Sequence, residues 1–533
     1  MSSQPPNSVP LTPLGFLERA ARVFPDREAI VDGKRRYDYA EFAAEAQYAA
    51  RALRARLAPG DRVATLSPNV AELLIAHYAV PLAGGVLVTV NTRLSVAEIA
   101  YILDHSSTRI LLLEAELVDR GLAAVAATGR DILVVTIGCT APAGAITYAD
   151  LLVGGSAMAE LAWTVADENA PITINYTSGT TGLPKGVVYS HRGAYLNSLG
   201  FGHHAGFDGN TRYLWTLPMF HCNGWCTTWA VTAATGRHIV LRAVRENAVW
   251  DAIDDNGVTH LCGAPTVLAT VANSGRAHPV DVPLRMISGG APASPTVIAQ
   301  LERLGIGYTH AYGLTESYGP FTLCERQDVW DRLPADERAA RMARQGVTML
   351  QSHGLRVVNE AMDDVPRNGL AIGEIVIRGN NVMVGYHDDP EATAIAFAGG
   401  WFHTGDLAVM HPDGYIEIRD RAKDLIISGG ENISSIEIEN ALLSHEAVSD
   451  AAVVAVPSDR WGERPIAYVA LSAEVSEQEL LRFLRVRLAR FKVPDAIRFL
   501  DAVPRTSTGK ALKRELRDLS TNAPGAEMSR HEG

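Results

Sequence analysis

"PITINYTSGTTGLPKGV" occupies residues 171–187. It opens as a short apolar, β-rich run and turns at once into a loop of glycines, hydroxyls and a single lysine. A buried strand that empties into such a loop is what an open α/β sheet offers at the carboxyl end of a strand, where these sheets bind ligands. The loop is not a Walker loop. Gly179 and Gly182 are too close together, Pro184 stands where the second glycine belongs, and Lys185 is followed by Gly186 and Val187 rather than by a hydroxyl. Thr177, Ser178, Thr180 and Thr181 supply hydroxyls, the glycines allow close backbone approach, and Lys185 supplies charge. Together they make a mobile anion cradle or, on composition alone, a polar surface loop.

Outward from this stretch, apolar β-rich runs alternate with helix-period segments from about residue 60 to 320, as in "RILLLEAEL", "RYLWTLPMF", "VTHLCGAP", "LRMISGGAP" and "IGYTHAYG". The alternation predicts an α/β fold, with a large N-terminal domain of mostly parallel sheets flanked by helices. "LLIAHYAVPLAGGVLVTV" at 73–90 is the longest apolar stretch, but Pro81 and Gly84-Gly85 divide it. It reads as buried helix, turn and buried strand rather than a membrane span. After about Arg419 the elements shorten, and a smaller α+β C-terminal domain is expected, with helices starting near Ser434, at Ser476 and after Gly509. Ser434 with Glu437 fits a capping box. The expected division is 1–420, 421–520 and a frayed polar tail at 521–533.

A chain of 533 residues with 47 % apolar content exceeds what one core usually holds. The net charge of −12 and the lack of a basic run argue against a nucleic-acid surface. Five scattered cysteines suit a reducing compartment, and the N-terminus shows no secretory signal, so cytoplasm is the expectation.

Further motifs stand along the chain: "PMFHCNGW" (218–225), "SGGAP" (288–292), "AYGLTE" (311–316), "WFHTGDL" (401–407), "RDRAKDLIISGGENI" (419–433) and "PRTSTGKALKREL" (504–516). Each has an ordinary reading. Thr315-Glu316 could be a helix cap, Gly405-Asp406 and Gly429-Gly430-Glu431 turns, and Lys510 a solvated lysine. Trp225 and Trp229 could be core, and His221, Cys222 and Cys226 invite a zinc reading that lacks a matching second pair.

Taken in order with the 176–187 loop, these motifs resemble those of the adenylate-forming superfamily, over nearly the whole chain. "HRGAYLNSL" before "LPMFHCNGW", and "WDRLPADERAARMARQGV" after the Thr-Glu pair, are most similar to short- and medium-chain fatty acyl-CoA ligases, a branch that includes 3-methylmercaptopropionyl-CoA ligases. The resemblance implies that a carboxylate attacks the α-phosphate of ATP, pyrophosphate leaves, and CoA takes the acyl group from the adenylate. Thr177, Ser178, Gly179, Thr180, Thr181 and Lys185 would hold the leaving phosphates. Gly290, Ala291, Pro292, Tyr312 and Gly313 would lie along the adenine. Thr315 would bind the α-phosphate, and Glu316 with Thr177 the Mg²⁺. Asp406 and Arg421 would hold the ribose.

By the same resemblance His221, Gly224 and Trp225 would meet the acid, and Lys510 would neutralise charge on the attacking carboxylate and α-phosphate. Lys423 would be the hinge, with Gly429, Gly430 and Glu431 along the CoA tunnel. Partners are then a small carboxylic acid, ATP and CoA, with no nucleic acid and no membrane span; a homodimer is the family's common habit. Loading of a carrier-protein thiol and nucleotide binding without catalysis are the rival readings.

Overall fold

A computed structural model describes residues 7–177, 183–290, 295–428, 431–458, 460–506 and 511–521. The chain forms two compact units, one of residues 1–355 and 377–402, the other of residues 356–376 and 403–533.

The larger unit carries two sheets. In the first, Pro171–Tyr176 lies parallel to Val86–Val90, and the order continues through Arg62–Leu66, Thr108–Glu114, Leu133–Ile137 and Ile146–Thr147, all parallel. Gly186–Ser190 folds back antiparallel onto Pro171–Tyr176, and Gly385–Tyr386 closes that edge. The second sheet runs parallel through Arg237–Val240, Arg212–Leu214, His260–Gly263, Leu284–Gly289 and Ile306–Leu314. Gly319–Leu323 then returns antiparallel.

The 73–90 stretch folds as read. Ala71–Leu82 is a helix with every residue buried, which suits a segment apolar all round. Pro81 falls in its last turn, Gly84 takes φ +81° in the turn, and Val86–Val90 is buried on both faces. Leu66, Val88, Leu111, Leu113 and Ile174 of the first sheet pack with Ile99 and Leu103 of the helix Val96–His105. Ser95 and Glu98 cap that helix reciprocally. Parallel strands buried on both faces read as continuous apolar runs, and these do.

The smaller unit is α+β. Val448–Ser458 and Gly462–Leu471 form its longest antiparallel pair, and Ala496–Phe499 adds in parallel. Helices Ser435–Leu443 and Glu477–Arg487 cover one face through Ile438, Leu442, Leu480 and Leu484. Ser434 and Ser476 are the N-caps, as expected, but Ser434 makes only half a capping box. Its hydroxyl accepts from Glu437 N at 3.1 Å, whereas the Glu437 carboxylate takes Lys492 Nζ at 2.7 Å and 2.8 Å instead of turning back to the cap. A charged partner outcompetes a backbone amide for a half-exposed carboxylate.

Candidate active site

The opening stretch is a hairpin. Its first strand ends at Tyr176, Thr177 N donates to Lys185 O at 3.0 Å, and the second strand begins at Gly186. Among the described residues no helix follows Tyr176 directly, as it would in a Walker motif; His191–Ala205 starts only after the return strand. Ser178, Gly179, Thr180 and Thr181 lie outside the described residues. The hairpin's root is held on both sides: His105 Nδ1 meets Tyr176 OH at 2.8 Å, and Tyr101 OH donates to Pro184 O at 3.2 Å. Gly186 is required where it stands, because a Cβ there would come 2.9 Å from Ile174 Cγ2.

The strand Ile306–Leu314 passes into a short 3₁₀ turn, Thr315–Ser317, so the Thr-Glu pair caps no α-helix. Its backbone is pinned: Tyr189 OH donates to Thr315 O at 2.6 Å, and Met383 N to Glu316 O at 2.8 Å. Tyr386 OH donates to Glu316 Oε1 at 3.0 Å, and Lys185 Nζ lies 4.7 Å from the centroid of the Tyr386 ring. Lys185 and Glu316, from motifs far apart in sequence, thus share one tyrosine. Tyr386 has no signal of its own in the sequence; "GYHDDP" around it reads as a turn.

Magnesium fits this corner. It prefers oxygen donors, keeps several waters, and is usually held by one or two carboxylates plus phosphate oxygens. Glu316, which accepts a hydrogen bond from Tyr386, would provide such a carboxylate. Among the described residues no three His, Cys, Asp or Glu side chains cluster to hold a metal, which also leaves the zinc reading of His221, Cys222 and Cys226 without support.

Residues 222–226 form an unusual turn. Cys222, Asn223, Gly224, Trp225 and Cys226 have φ of 51°, 51°, 60°, 59° and 63° in succession. Left-handed conformation costs a non-glycine residue about 1–2 kcal/mol, and such strain gathers at functional sites. Only Asn223 and Gly224 announce the turn in the sequence. The turn directs three side chains. His221 is held neutral by burial, its pKa lowered to about 4. The Cys222 thiol, pushed up to about 12 by burial, donates to Thr315 Oγ1 at 3.6 Å. Trp225 lies between two strand ends, where a Cβ on Gly289 would sit 3.2 Å from the indole and one on Gly319 2.6 Å from it. Trp229 is core, donating Nε1–H to His77 O at 3.2 Å.

Tyr312 and Gly313 lie on the strand before the Thr-Glu turn, with Tyr312 buried against its return strand. A Cβ on Gly313 would strike the carbonyl of Gly319. Gly290, at φ +95°, follows the strand Leu284–Gly289; Ala291 and Pro292 lie outside the described residues.

In the smaller unit Asp406 and Arg421 face each other across an antiparallel pair and form an ion pair at 3.0 Å, with Asp406 buried. Lys423 is exposed, next to Asp424, which Arg517 holds at 2.5 Å. Glu431 is exposed in the strand Glu431–Ile433. Gly429, Gly430 and Lys510 lie outside the described residues. Lys513 at the start of the final helix bonds Glu439 at 2.8 Å and Ser435 Oγ at 2.5 Å, anchoring the chain just after the Lys510 loop.

Among the described residues no helix is long and apolar enough to cross a membrane. An acetate–CoA ligase of Humulus lupulus is 43 % identical, over 96 % of this chain and 95 % of its own length. A peroxisomal acetate/butyrate–CoA ligase of Arabidopsis thaliana is 40 % identical over the same shares. ATP-bound MatB from Rhodopseudomonas palustris superposes with a TM-score of 0.83 at 29 % identity, covering 96 % of this chain and 99 % of that one. Residues 17–387, which hold the Thr177–Lys185 hairpin, the left-handed turn and the Thr-Glu corner, match the AMP-binding enzyme family, residues 437–510 match the C-terminal domain of AMP-binding enzymes, and the chain belongs to that family.

Proposed function

We propose that this chain is an AMP-forming acid–thiol ligase that activates a short- or medium-chain aliphatic carboxylic acid with ATP and passes the acyl group to CoA. The observation that carries the reading is the Tyr386 bridge between Lys185 and Glu316 at the strand ends of the larger unit. A cation for leaving phosphates and a carboxylate for a metal are thereby held at one corner. Magnesium bound there would offset phosphate charge. CoA is favoured over a carrier protein because the relatives compared are CoA ligases over nearly their full length.

Thr177 and Lys185, with Ser178, Gly179, Thr180 and Thr181, grip the departing pyrophosphate. Thr315 contacts the α-phosphate. Tyr312, Gly313, Gly290, Ala291 and Pro292 line the adenine, and Asp406, its carboxylate oriented by Arg421, accepts from the ribose hydroxyls. His221 offers a neutral N–H to the reacting carboxylate, and Gly224 and Trp225 bound its alkyl chain. Lys510 supplies fixed charge at the transition state. After adenylation the C-terminal domain, taken as beginning at 421, pivots at Lys423 so that Gly429, Gly430 and Glu431 flank the thiol's path. Among the described residues the cysteines form no disulfide, which is in keeping with a reducing compartment, and we place the enzyme in cytoplasmic fatty acid metabolism.

The test is pyrophosphate release with MgATP across straight-chain acids of increasing length and one aromatic acid, with CoA or a holo-carrier protein as acceptor. Acid-dependent release followed by AMP turnover with CoA alone supports the reading. Release with no acid, or turnover only with the carrier, overturns it.

A further inference from the structure

The left-handed turn is fastened to both sheets of the larger unit. On one side, Asn223 Oδ1 accepts from Thr173 Oγ1 and from Asn175 Nδ2, each at 2.9 Å. Thr173 and Asn175 lie on the same face of Pro171–Tyr176, the strand that delivers the chain to Thr177. Thr89 Oγ1 joins them, facing Asn175 Oδ1 at 3.1 Å and Phe220 O at 2.9 Å. On the other side, Gly224 packs under Trp215, where a Cβ would collide with the indole, and Trp225 reaches the ends of the second sheet.

Asn223 is fully buried, yet among the described residues its Nδ2 finds no hydrogen-bond partner. An unpaired buried donor is costly, and an apolar side chain of similar size would pack without that penalty. The residue therefore earns its place through the oxygen. That oxygen ties the residue after Cys222 to the strand whose end is the phosphate hairpin.

We infer that Asn223 is a positioning residue for adenylate formation, holding the acid-binding turn at His221 and the phosphate hairpin at Thr177 in register through Thr173 and Asn175. It touches no substrate. The inference rests on the ligase reading above and adds to it the element that couples the two ends of the reacting pair. A displacement of either end would misplace the carboxylate against the α-phosphate, and attack geometry tolerates little misplacement.

The experiment compares Asn223→Gly, which accepts φ near +50° without strain, with Thr173→Val, which keeps the strand and removes the donor. Both half-reactions are measured. Acid-dependent pyrophosphate exchange is expected to fall by about tenfold or more, the scale of one lost buried hydrogen bond, while thioester formation from supplied acyl-adenylate stays within about twofold. The double variant is expected to be no worse than Asn223→Gly by more than about twofold, because both changes break one link. Equal losses in both half-reactions, exchange within about twofold of the parent, or losses that multiply in the double variant would overturn the inference. Should Asn223→Gly fail to fold, Thr173→Val alone decides by the same split. A parent enzyme with no acid-dependent exchange defeats the ligase reading itself, whereas an active parent with unaffected variants defeats only the role of Asn223.

Discussion

Tyr386 donates its hydroxyl hydrogen to Glu316 Oε1 at 3.0 Å while its ring lies beneath the ammonium of Lys185, 4.7 Å from ring centroid to Nζ. The backbone around it is stitched to both partners. Met383 N donates to Glu316 O at 2.8 Å, Val384 N to Val188 O at 2.9 Å and His387 N to Gly186 O at 2.7 Å. The segment 383–387 thus ties the return strand of the hairpin to the Thr-Glu turn. Burial and the adjacent Glu316 carboxylate raise the Tyr386 pKa well above that of a free phenol, so the hydroxyl stays a donor at every working pH.

Tyr386→Phe removes that donor and keeps the ring under Lys185. The Mg²⁺ concentration for half-maximal pyrophosphate release is expected to rise, with a loss of roughly tenfold in rate at low Mg²⁺, the range for a hydrogen bond to a charged group. Tyr386→Leu, which also removes the cation–π contact, should lose more. An unchanged Mg²⁺ titration for the phenylalanine variant would show that the bond does not orient Glu316 for the metal.

Lys510→Ala separates the two half-reactions. Adenylate formation is expected to slow by at least roughly 10²-fold, by analogy with loss of one preorganised oxyanion donor, while thioester formation from supplied acyl-adenylate is spared. Stopped-flow pyrophosphate release measures the first and a thioester assay the second. Near-normal pyrophosphate release would remove Lys510 from the reaction.

What could be read in advance follows the range of each signal. The helix Ala71–Leu82 and the strand Val86–Val90 were legible because a run of apolar side chains and its glycine breakers lie within a few residues of each other. The Ser434 and Ser476 caps were legible for the same reason. The Glu437 half of the box failed because its partner Lys492 is 55 residues away. Asn223 and Thr173 are 50 residues apart, and Tyr386 and Glu316 are 70. No periodicity connects such pairs; only the crossing of two sheets and a return strand does. The left-handed turn was hidden because only Asn223 and Gly224 among its five residues tolerate positive φ readily, and the other three give no sign of it.

Acid should weaken the larger unit. Burial lowers the pKa of His77, His221 and His310 to about 4 and that of His238 to about 3. An unfolded histidine takes its proton near 6.5, so between that pH and the folded values the unfolded chain binds more protons than the native one. Stability is full above the unfolded value and declines as pH falls through the window, by about 2 kcal/mol per residue at pH 5. Tryptophan fluorescence in urea at pH 7.5 and pH 5 should show a lower midpoint in acid. Equal midpoints would mean that these rings are reached by protons in the native state.

Trp225 should set the length of acid accepted. Its indole lies between Gly289 and Gly319: a Cβ on Gly319 would collide with it at 2.6 Å, and one on Gly289 would be tight against it at 3.2 Å. Phe201 meets it edge-on with ring centroids 6.4 Å apart, and the neutral His221 stands four residues before it at the start of the turn. If the carboxylate binds near His221 as proposed, the indole would stop its alkyl chain early. Trp225→Ala removes the stop, and each further methylene of the acid can then gain hydrophobic contact worth about 10-fold or more in kcat/KM. The preferred acid should therefore shift to longer chains, with the shortest acids losing through a raised KM rather than a changed kcat. Removing a buried indole also leaves a cavity, so a thermal midpoint is measured alongside. Pyrophosphate release across acids of increasing length decides the matter: a variant that loses all acids equally, with no movement of the optimum, would place the indole in the core and outside the pocket.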